Sequence, residues 1–302
     1  MSFDVIIPFL RPIQPLLESQ TISEIMVNPD GSVWVEEHGQ MHALPEIRFD
    51  DGALLTALEV IANRFGKKLD GDSPILNLRL PDGSRMAAMI PPVVNPRPLM
   101  TIRKFTSRDF TVADLIRVEM LTEEQALTLT EAVRAGQNIL IAGSTGSGKS
   151  TLLGVLADAI PEYERILLIE DTAELHIRKP HIVSTESQVD THRSQINFTD
   201  LLKAVLRHRP DRIIVGEVRG PEARTLLDAM NTGHRGTLAT VHANSAKEAI
   251  HRLGSLAMRA DIHADATTTR DEVERCLDLV IHVARVNGKR FVDEIHEVTH
   301  HQ

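Results

Sequence analysis

Residues 143–151 have the spacing most suggestive of chemistry in this 302-residue chain. They match the phosphate-binding pattern G-x-x-x-x-G-K-[ST], with an apolar run before them and a helix-like stretch after them. Glycines let the backbone turn its amide N–H groups toward one anion, while the lysine reaches the β- and γ-phosphates and the next serine binds Mg²⁺. The loop therefore predicts binding of a nucleoside triphosphate. The candidate ligands are Gly143, Ser144, Thr145, Gly146, Ser147, Gly148, Lys149, Ser150 and Thr151.

Acidic residues that follow two apolar runs are candidates for hydrolysis at this loop. Glu217 follows one run, and Glu170 and Asp171 follow another, with Glu174 shortly beyond them. Hydrolysis needs carboxylates near the γ-phosphate to hold metal and to orient water, although most acids in any chain are simply exposed in loops. We expect the general base to be Glu174 or Glu217, a choice that the sequence leaves open. The expected Mg²⁺ ligands are Ser150, Glu170, Asp171 and Glu217.

Two histidines, His234 and His242, bracket a short apolar run in a glycine-rich segment. An isolated histidine is more often structural than catalytic, and no cysteine or acid lies at a spacing that suits zinc. A neutral imidazole can nevertheless accept a hydrogen bond from water or donate one to a γ-phosphate oxygen. Both histidines are therefore candidate sensors of the bound nucleotide.

The elements around these residues predict an α/β fold for residues 108–302. Short apolar runs, including residues 166–169 and 213–215, alternate with helical segments behind the loop. This alternation is typical of a mainly parallel sheet with ligand at its carboxyl edge. Near the end, residues 271–281 have the pattern of an amphipathic helix, and a final strand pair is predicted around residues 286–289.

Residues 1–107 predict a smaller α+β domain. Hairpins are expected at residues 25–35 and 76–90, each around a Pro-Asp-Gly turn. A helix is expected at residues 54–65, because apolar side chains recur there at helical spacing. The periodic pattern lapses at residues 104–110, where we place the linker between the two domains.

The composition is that of an ordinary globular protein, with 42% hydrophobic and 25% charged residues. The formal net charge of -9 argues against a protein whose main task is to grip nucleic acid, because such proteins usually carry a basic excess. The single cysteine, Cys276, cannot form an internal disulfide, which suits a reducing cytoplasm. We expect its side chain to be buried rather than reactive.

Taken in order along the chain, these motifs resemble those of the secretion traffic ATPases, which drive type II secretion, type IV secretion and type IV pili. Parts of the N-terminal domain are also similar to that family, and the short conjugal-transfer and tight-adherence branches are the most similar. The segments that carry the resemblance are residues 23–28, 81–85, 91–92, 101–104, 143–151, 169–175, 206–220 and 232–245.

The resemblance implies a RecA-like ATPase domain after the smaller N-terminal domain, in a homo-hexamer that uses ATP and Mg²⁺. It assigns phosphate contacts to Lys149 and Ser150 and implies that Arg85 and Arg103 also reach the phosphates, although a surface salt bridge is the simpler explanation for either arginine. It places the protein at the cytoplasmic face of the inner membrane, attached through components of a secretion, conjugation or pilus machine. No sequence-specific contact with nucleic acid is expected.

Two other functions use the same nucleotide core. A ring-shaped nucleic-acid helicase or translocase would show DNA-stimulated hydrolysis and salt-dependent binding to DNA, and the acidic charge balance argues against it. A nucleotide-dependent switch or scaffold without useful turnover is the other alternative, and the presence of every acidic candidate argues against that.

Overall fold

The computed structural model describes residues 6–49, 52–104, 110–171, 173–187, 196–261 and 263–299. Contacts divide the chain into two compact units, Met1–Ser107 and Arg108–Gln302. Most of the linker predicted at residues 104–110 lies outside the described residues. Each unit has its own hydrophobic core, and each is described by itself.

The first unit is an antiparallel sheet with helices on one face. Its strand order is β3-β2-β1-β6-β5-β4, and each neighbouring pair is antiparallel. The helices and strands are α1 (Gln14–Glu18), β1 (Ile22–Val27), β2 (Ser32–Glu37), β3 (Gln40–Arg48), α2 (Ala53–Arg64), β4 (Ile75–Arg79), β5 (Arg85–Met89) and β6 (Leu99–Arg103).

The two predicted hairpins of this unit and its predicted helix are confirmed. Alternate residues of the strands, such as Ile25 and Val27, are fully buried and pack with Leu58 and Ile61 of α2. Strand β3 was not predicted, because most of its side chains are exposed and it carries no alternating apolar pattern.

The second unit is built on a mainly parallel sheet, as predicted. Its strand order is β13-β12-β7-β11-β10-β8-β9, and only the β12–β13 pair is antiparallel. The strands are β7 (Ile139–Gly143), β8 (Ile166–Glu170), β9 (Ile182–Glu186), β10 (Arg212–Val218), β11 (Leu238–Val241), β12 (Leu279–Val286) and β13 (Lys289–Glu297). The helices are α3 (Val112–Arg117), α4 (Glu123–Arg134), α5 (Lys149–Ala157), α6 (Phe198–Val205), α7 (Glu222–Asn231), α8 (Ala246–Ala257) and α9 (Ala266–Cys276).

Both faces of this sheet are covered, so its central strands are apolar on both sides. In β7, Leu140 and Ala142 pack with α6 to α9, whereas Ile139 and Ile141 pack with α3 to α5. The strands are therefore fixed from two sides, and their carboxyl ends form a rigid edge for the residues that follow them. No helix in the described ranges is long and apolar enough to cross a bilayer.

The helix predicted at residues 271–281 was wrong in its second half. Helix α9 ends at Cys276, and Leu279 begins β12, which pairs with β7 on one side and β13 on the other. The apolar run from Leu279 fits a buried strand as well as a helix, and the pairing with two strands decides between them. The strand pair predicted around residues 286–289 is confirmed as the β12–β13 hairpin.

Candidate functional site

The phosphate loop joins the central strand β7 to helix α5, as its sequence predicts. Gly143 ends the strand, and a Cβ atom there would lie 2.5 Å from the backbone oxygen of Val283 and 2.6 Å from Oγ of Ser147. Gly146 and Gly148 have φ angles of 71° and 102°, which favour glycine. The loop is therefore shaped by glycine, and the amide groups at the start of α5 face an anion that enters it.

Lys149 is buried at the first position of α5, and its ammonium group is held by the loop itself. Nζ donates to the backbone oxygens of Gly143 and Ser144, both at 2.9 Å, and lies 3.3 Å from Nδ1 of His242. Burial lowers the pKa of Lys149, and the negative charge of Glu217 partly offsets this effect. Since an ammonium only donates, the contact with Nδ1 fits the tautomer that carries its proton on Nε2.

Glu217 lies near the carboxyl end of β10, where its carboxylate meets the ring of His242 from the next strand. Nε2 of His242 is 2.9 Å from Oε1 of Glu217, and Arg219 donates to Oε2 at 2.7 Å. Burial acts to raise the pKa of Glu217, but Arg219, His242 and Lys149 together outweigh it and hold this pKa below its usual value. The carboxylate is therefore ionised at neutral pH.

The position before Glu217 is glycine for a packing reason. A Cβ atom on Gly216 would lie 2.9 Å from Cγ of Glu170, which packs against this backbone from strand β8. An aspartate at residue 216 would need the side chain of Glu170 to move.

The acidic segment after β8 divides into residues with different surroundings. Glu170 is buried, and its Oε1 accepts hydrogen bonds from the backbone amides of Glu174 and Leu175 at 2.8 and 3.0 Å. Asp171 lies closer to the surface, with Oδ2 3.5 Å from Nη1 of Arg219. Glu170 thus shapes the turn that presents Glu174, whereas Asp171 joins the cluster around Glu217 through one arginine.

The two predicted sensor histidines lie at opposite ends of β11. His242 follows the strand at its carboxyl end, in the cluster with Lys149 and Glu217. His234 precedes β11. The backbone N–H of His234 donates to the carbonyl oxygen of Ala229 in α7 at 3.1 Å, and Nδ1 lies 3.2 Å from the same oxygen. The structure therefore brings His242 to the phosphate loop. His234 contacts the end of α7 instead, which does not support a catalytic contact of His234 at this loop.

In the N-terminal unit, Arg85 and Arg103 lie directly opposite each other on β5 and β6. The register extends this row to Arg79 on one side and to Glu24 on the other. Nε of Arg103 is 3.4 Å from Oε1 of Glu24. The two predicted arginines therefore belong, with Arg79, to one row of positively charged residues across neighbouring strands. Glu24 lies at the end of this row.

Arg219 is a residue of the site that the sequence reasoning missed. It lies two residues after Glu217 and links that carboxylate to Asp171. The hydrogen bond to Glu217 is the main reason that the pKa of Arg219 is raised. A spacing of two residues at the end of a strand puts side chains on one face, and this period could have indicated the contact.

The donors present at this edge are the Ser150 hydroxyl and the carboxylates of Asp171 and Glu217. Among the described residues, no three His, Cys, Asp or Glu side chains converge on one point as a metal site. Mg²⁺ usually keeps several waters and binds one or two protein oxygens together with nucleotide phosphates. This donor set fits such a partly hydrated ion, with the phosphates completing its shell.

A phosphate loop after a central parallel strand, with a carboxylate at the end of a nearby strand, is typical of a P-loop NTPase. The profile of the family described as Type II/IV secretion system protein matches residues 10–301, and the chain belongs to this family of ATPases.

Individual relatives agree with that assignment. The probable conjugal transfer protein TrbB of Sinorhizobium fredii is 36% identical over 287 residues, which cover 93% of this chain and 85% of that protein. The VirB11 ATPase of the Brucella suis type IV secretion system, solved with sulphate, is 26% identical with a TM-score of 0.52. That alignment covers 97% of this chain and 94% of the VirB11 chain.

The pilus retraction motor PilT, solved with bound ADP, has the same fold. Its TM-score is 0.70 at 20% identity, and the alignment covers 98% of this chain and 83% of the PilT chain. The predicted family, the predicted RecA-like domain with its N-terminal partner and the predicted ATPase class are confirmed. This chain is therefore similar to ATPases of conjugation and type IV secretion.

Proposed function

We propose that this chain hydrolyses ATP with Mg²⁺ and powers a conjugal-transfer or related type IV secretion machine as a homo-hexameric ring. One observation carries the chemical part of the proposal. A continuous chain of side-chain contacts lies beside the phosphate loop and runs through Lys149, His242, Glu217 and Arg219. Such a chain joins a phosphate-binding cation to an ionised carboxylate, which are the two groups that ATP hydrolysis needs.

In this proposal the loop amides and Lys149 bind the β- and γ-phosphates. Ser150 would hold the magnesium ion directly, with Asp171 acting through water, and the ion would neutralise the charge that develops on the γ-phosphate. Glu217 is ionised and faces His242, so it can orient the attacking water and accept its proton. Glu174 is the other candidate for this step, because the turn held by Glu170 presents it at the same edge.

The proposal for Arg85 and Arg103 rests on the resemblance to the secretion ATPases. A guanidinium group that reaches the γ-phosphate stabilises the charge of the transition state, as arginine fingers do. Replacing either arginine with glutamine should lower turnover while ATP binding is retained. Equal activity of both variants and the unchanged protein would remove these two residues from the mechanism.

The cellular part of the proposal is supported by the names of the relatives. A probable conjugal transfer protein matches over most of both chains, and a VirB11 ATPase of a type IV secretion system aligns over 97% of this chain. We infer that the ring works at the cytoplasmic face of the inner membrane, where it is held by machine components. Sedimentation of the purified protein with Mg²⁺ and ATP should give the mass of six chains, and a stable monomer under these conditions would contradict the ring.

The experiment for the chemical part uses two variants with different expected failures. Lys149→Ala should lose ATP binding in calorimetry, whereas Glu217→Gln should bind ATP and release no phosphate in a steady-state assay. Lys203→Ala on α6 and Glu131→Gln on α4 are matched controls, because both side chains are exposed on helices. Phosphate release by Lys149→Ala and Glu217→Gln at the rate of the controls would refute the proposal.

The nucleic-acid motor remains the second candidate and is tested in the same assay. Its hydrolysis rate should rise when DNA is added and fall with salt. We expect no stimulation, because the chain has a net charge of -9.

A further inference from the structure

The β12–β13 hairpin carries two arginines directly opposite each other. Asn287 and Gly288 form its two-residue turn with φ angles of 50° and 83°, the conformation that suits an antiparallel hairpin. The register pairs Val286 with Lys289 and then Arg285 with Arg290. Two guanidinium groups are therefore attached at facing positions of one short ribbon.

These two charges are not compensated within the hairpin. Lys289 is ion-paired with Glu119, whereas the side chains of Arg285 and Arg290 make no hydrogen bond or ion pair in the described part of the chain. Like charges at directly opposite positions destabilise a strand pair. An anion beside Arg285 and Arg290 would remove this repulsion.

The phosphate loop lies next to the same two arginines. Nη1 of Arg285 is 3.2 Å from the point where Gly146 would carry a Cβ atom. Cδ of Arg290 is 3.6 Å from the corresponding point at Gly148, and Cε of Met120 is 3.0 Å from it. The hairpin reaches the loop because β12 pairs with β7, with Val283 opposite Gly143.

The sheet order decides which part of a nucleotide would meet the hairpin. Strand β7 lies between β12 on one side and β11 on the other, and His242, Glu217 and Asp171 all lie at the carboxyl ends of strands on the β11 side. A triphosphate that directs its γ-phosphate toward Glu217 has its opposite end on the β12 side. That end carries the α-phosphate and the nucleoside.

We propose that Arg285 and Arg290 bind the α-phosphate of the nucleotide from the flank of the loop opposite Glu217. This inference rests on the binding of ATP at the phosphate loop. Guanidinium groups pair with phosphate oxygens through two parallel hydrogen bonds, and two facing arginines supply a fork for one phosphate. The residues act in binding, because the α-phosphate does not take part in the transfer of the γ-phosphate.

The first test measures the affinity for ADP by calorimetry. Arg285→Gln and Arg290→Gln should each bind ADP about tenfold more weakly than the unchanged protein, the loss expected for one charge-assisted contact. Lys289→Gln is the matched control, because it removes the same charge from the same hairpin but from a side chain that is paired with Glu119. Arg285→Lys keeps the charge and should recover part of the affinity.

The second test separates a direct contact from a change in the shape of the loop. In ³¹P spectra of bound ADP, Arg285→Gln should move the α-phosphorus resonance and leave the β-phosphorus resonance in place. Unchanged ADP affinity in both arginine variants, or an equal movement of both resonances, would overturn the proposal. Failure of the unchanged protein to bind ADP would instead refute the nucleotide site itself, so the two failures are distinguishable.

Discussion

Nε2 of His242 lies 2.9 Å from Oε1 of Glu217, so the imidazole that follows β11 directly contacts a carboxylate of the neighbouring strand β10. The other ring nitrogen faces the ammonium of Lys149 at 3.3 Å. This imidazole therefore lies between the lysine proposed to bind phosphate and the carboxylate proposed to orient water. Any rearrangement of Lys149 toward a nucleotide changes the surroundings of the ring, and through it those of Glu217.

The first prediction concerns the protonation of His242. Burial and the nearby charge of Lys149 lower its pKa, while the charge of Glu217 acts in the opposite direction. We expect a neutral ring at pH 7, with a titration midpoint below 6.5 in an NMR measurement of its carbon-bound proton. Glu217→Gln should lower the midpoint further, and Lys149→Met should raise it. A midpoint above 6.5 in the unchanged protein would contradict these contacts.

The second prediction concerns Arg219 and identifies the general base. Its hydrogen bond and charge help to hold the pKa of Glu217 below the usual value, so Arg219→Gln should let that pKa rise. If ionised Glu217 accepts the proton of water, the acid limb of the pH profile of kcat/KM then moves to higher pH. Arg219→Lys keeps the charge and should move it less. An acid limb that does not move in Arg219→Gln would point to Glu174 instead.

The third prediction concerns stability at the opposite edge of the sheet. Arg212 is buried, forms an ion pair with Glu164 and donates to the backbone oxygen of Val133 at 3.0 Å. Arg212→Met leaves a carboxylate and a carbonyl without their donor, and should lower the free energy of unfolding by about 3 kcal/mol. Urea titration measures this loss.

Arg209→Met is the control for this prediction, because the Arg209–Asp211 pair is exposed. Its cost should be below about 0.5 kcal/mol. Equal midpoints for the two variants would show that burial of the Arg212 pair does not matter.

The fourth prediction concerns Cys276. Burial is the main reason that the pKa of its thiol is raised to about 11, so the thiolate is scarce at neutral pH. We expect iodoacetamide at pH 7.5 to leave the folded protein unmodified and to alkylate Cys276 after unfolding in urea, as mass spectrometry would show. Rapid alkylation of the folded chain would mean that α9 opens in solution.

The residues of the loop were predictable because their chemistry is local. The glycine spacing, the lysine and the following serine all occur in one short segment. The acids Glu217 and Asp171 lie at the carboxyl ends of apolar strands in a parallel sheet. The fold class followed from the same alternation, since parallel strands need helices between them. The phosphate loop and the fold class are therefore both determined by short segments whose pattern is visible in the sequence.

Other features depend on which strands become neighbours, and local patterns do not contain this information. The separation of His234 from His242 follows from the direction of β11, which the apolar run between them did not reveal. The approach of Arg285 to the phosphate loop needs the pairing of β12 with β7, whereas the sequence pattern predicts a helix for residues 279–281. The burial of Glu170 likewise results from its packing against Gly216 of the next strand.

The two hydrogen bonds from Lys149 to Gly143 and Ser144 have a consequence for the nucleotide cycle. A phosphate that enters the loop competes with two carbonyl oxygens for the same ammonium group. The loop carbonyls thus compete with the phosphate for the ammonium group. They can form the same hydrogen bonds with Lys149 again when the product leaves. In the proposed hydrolysis cycle, which must release ADP at every turn, this competition favours exchange of the nucleotide over its tight retention.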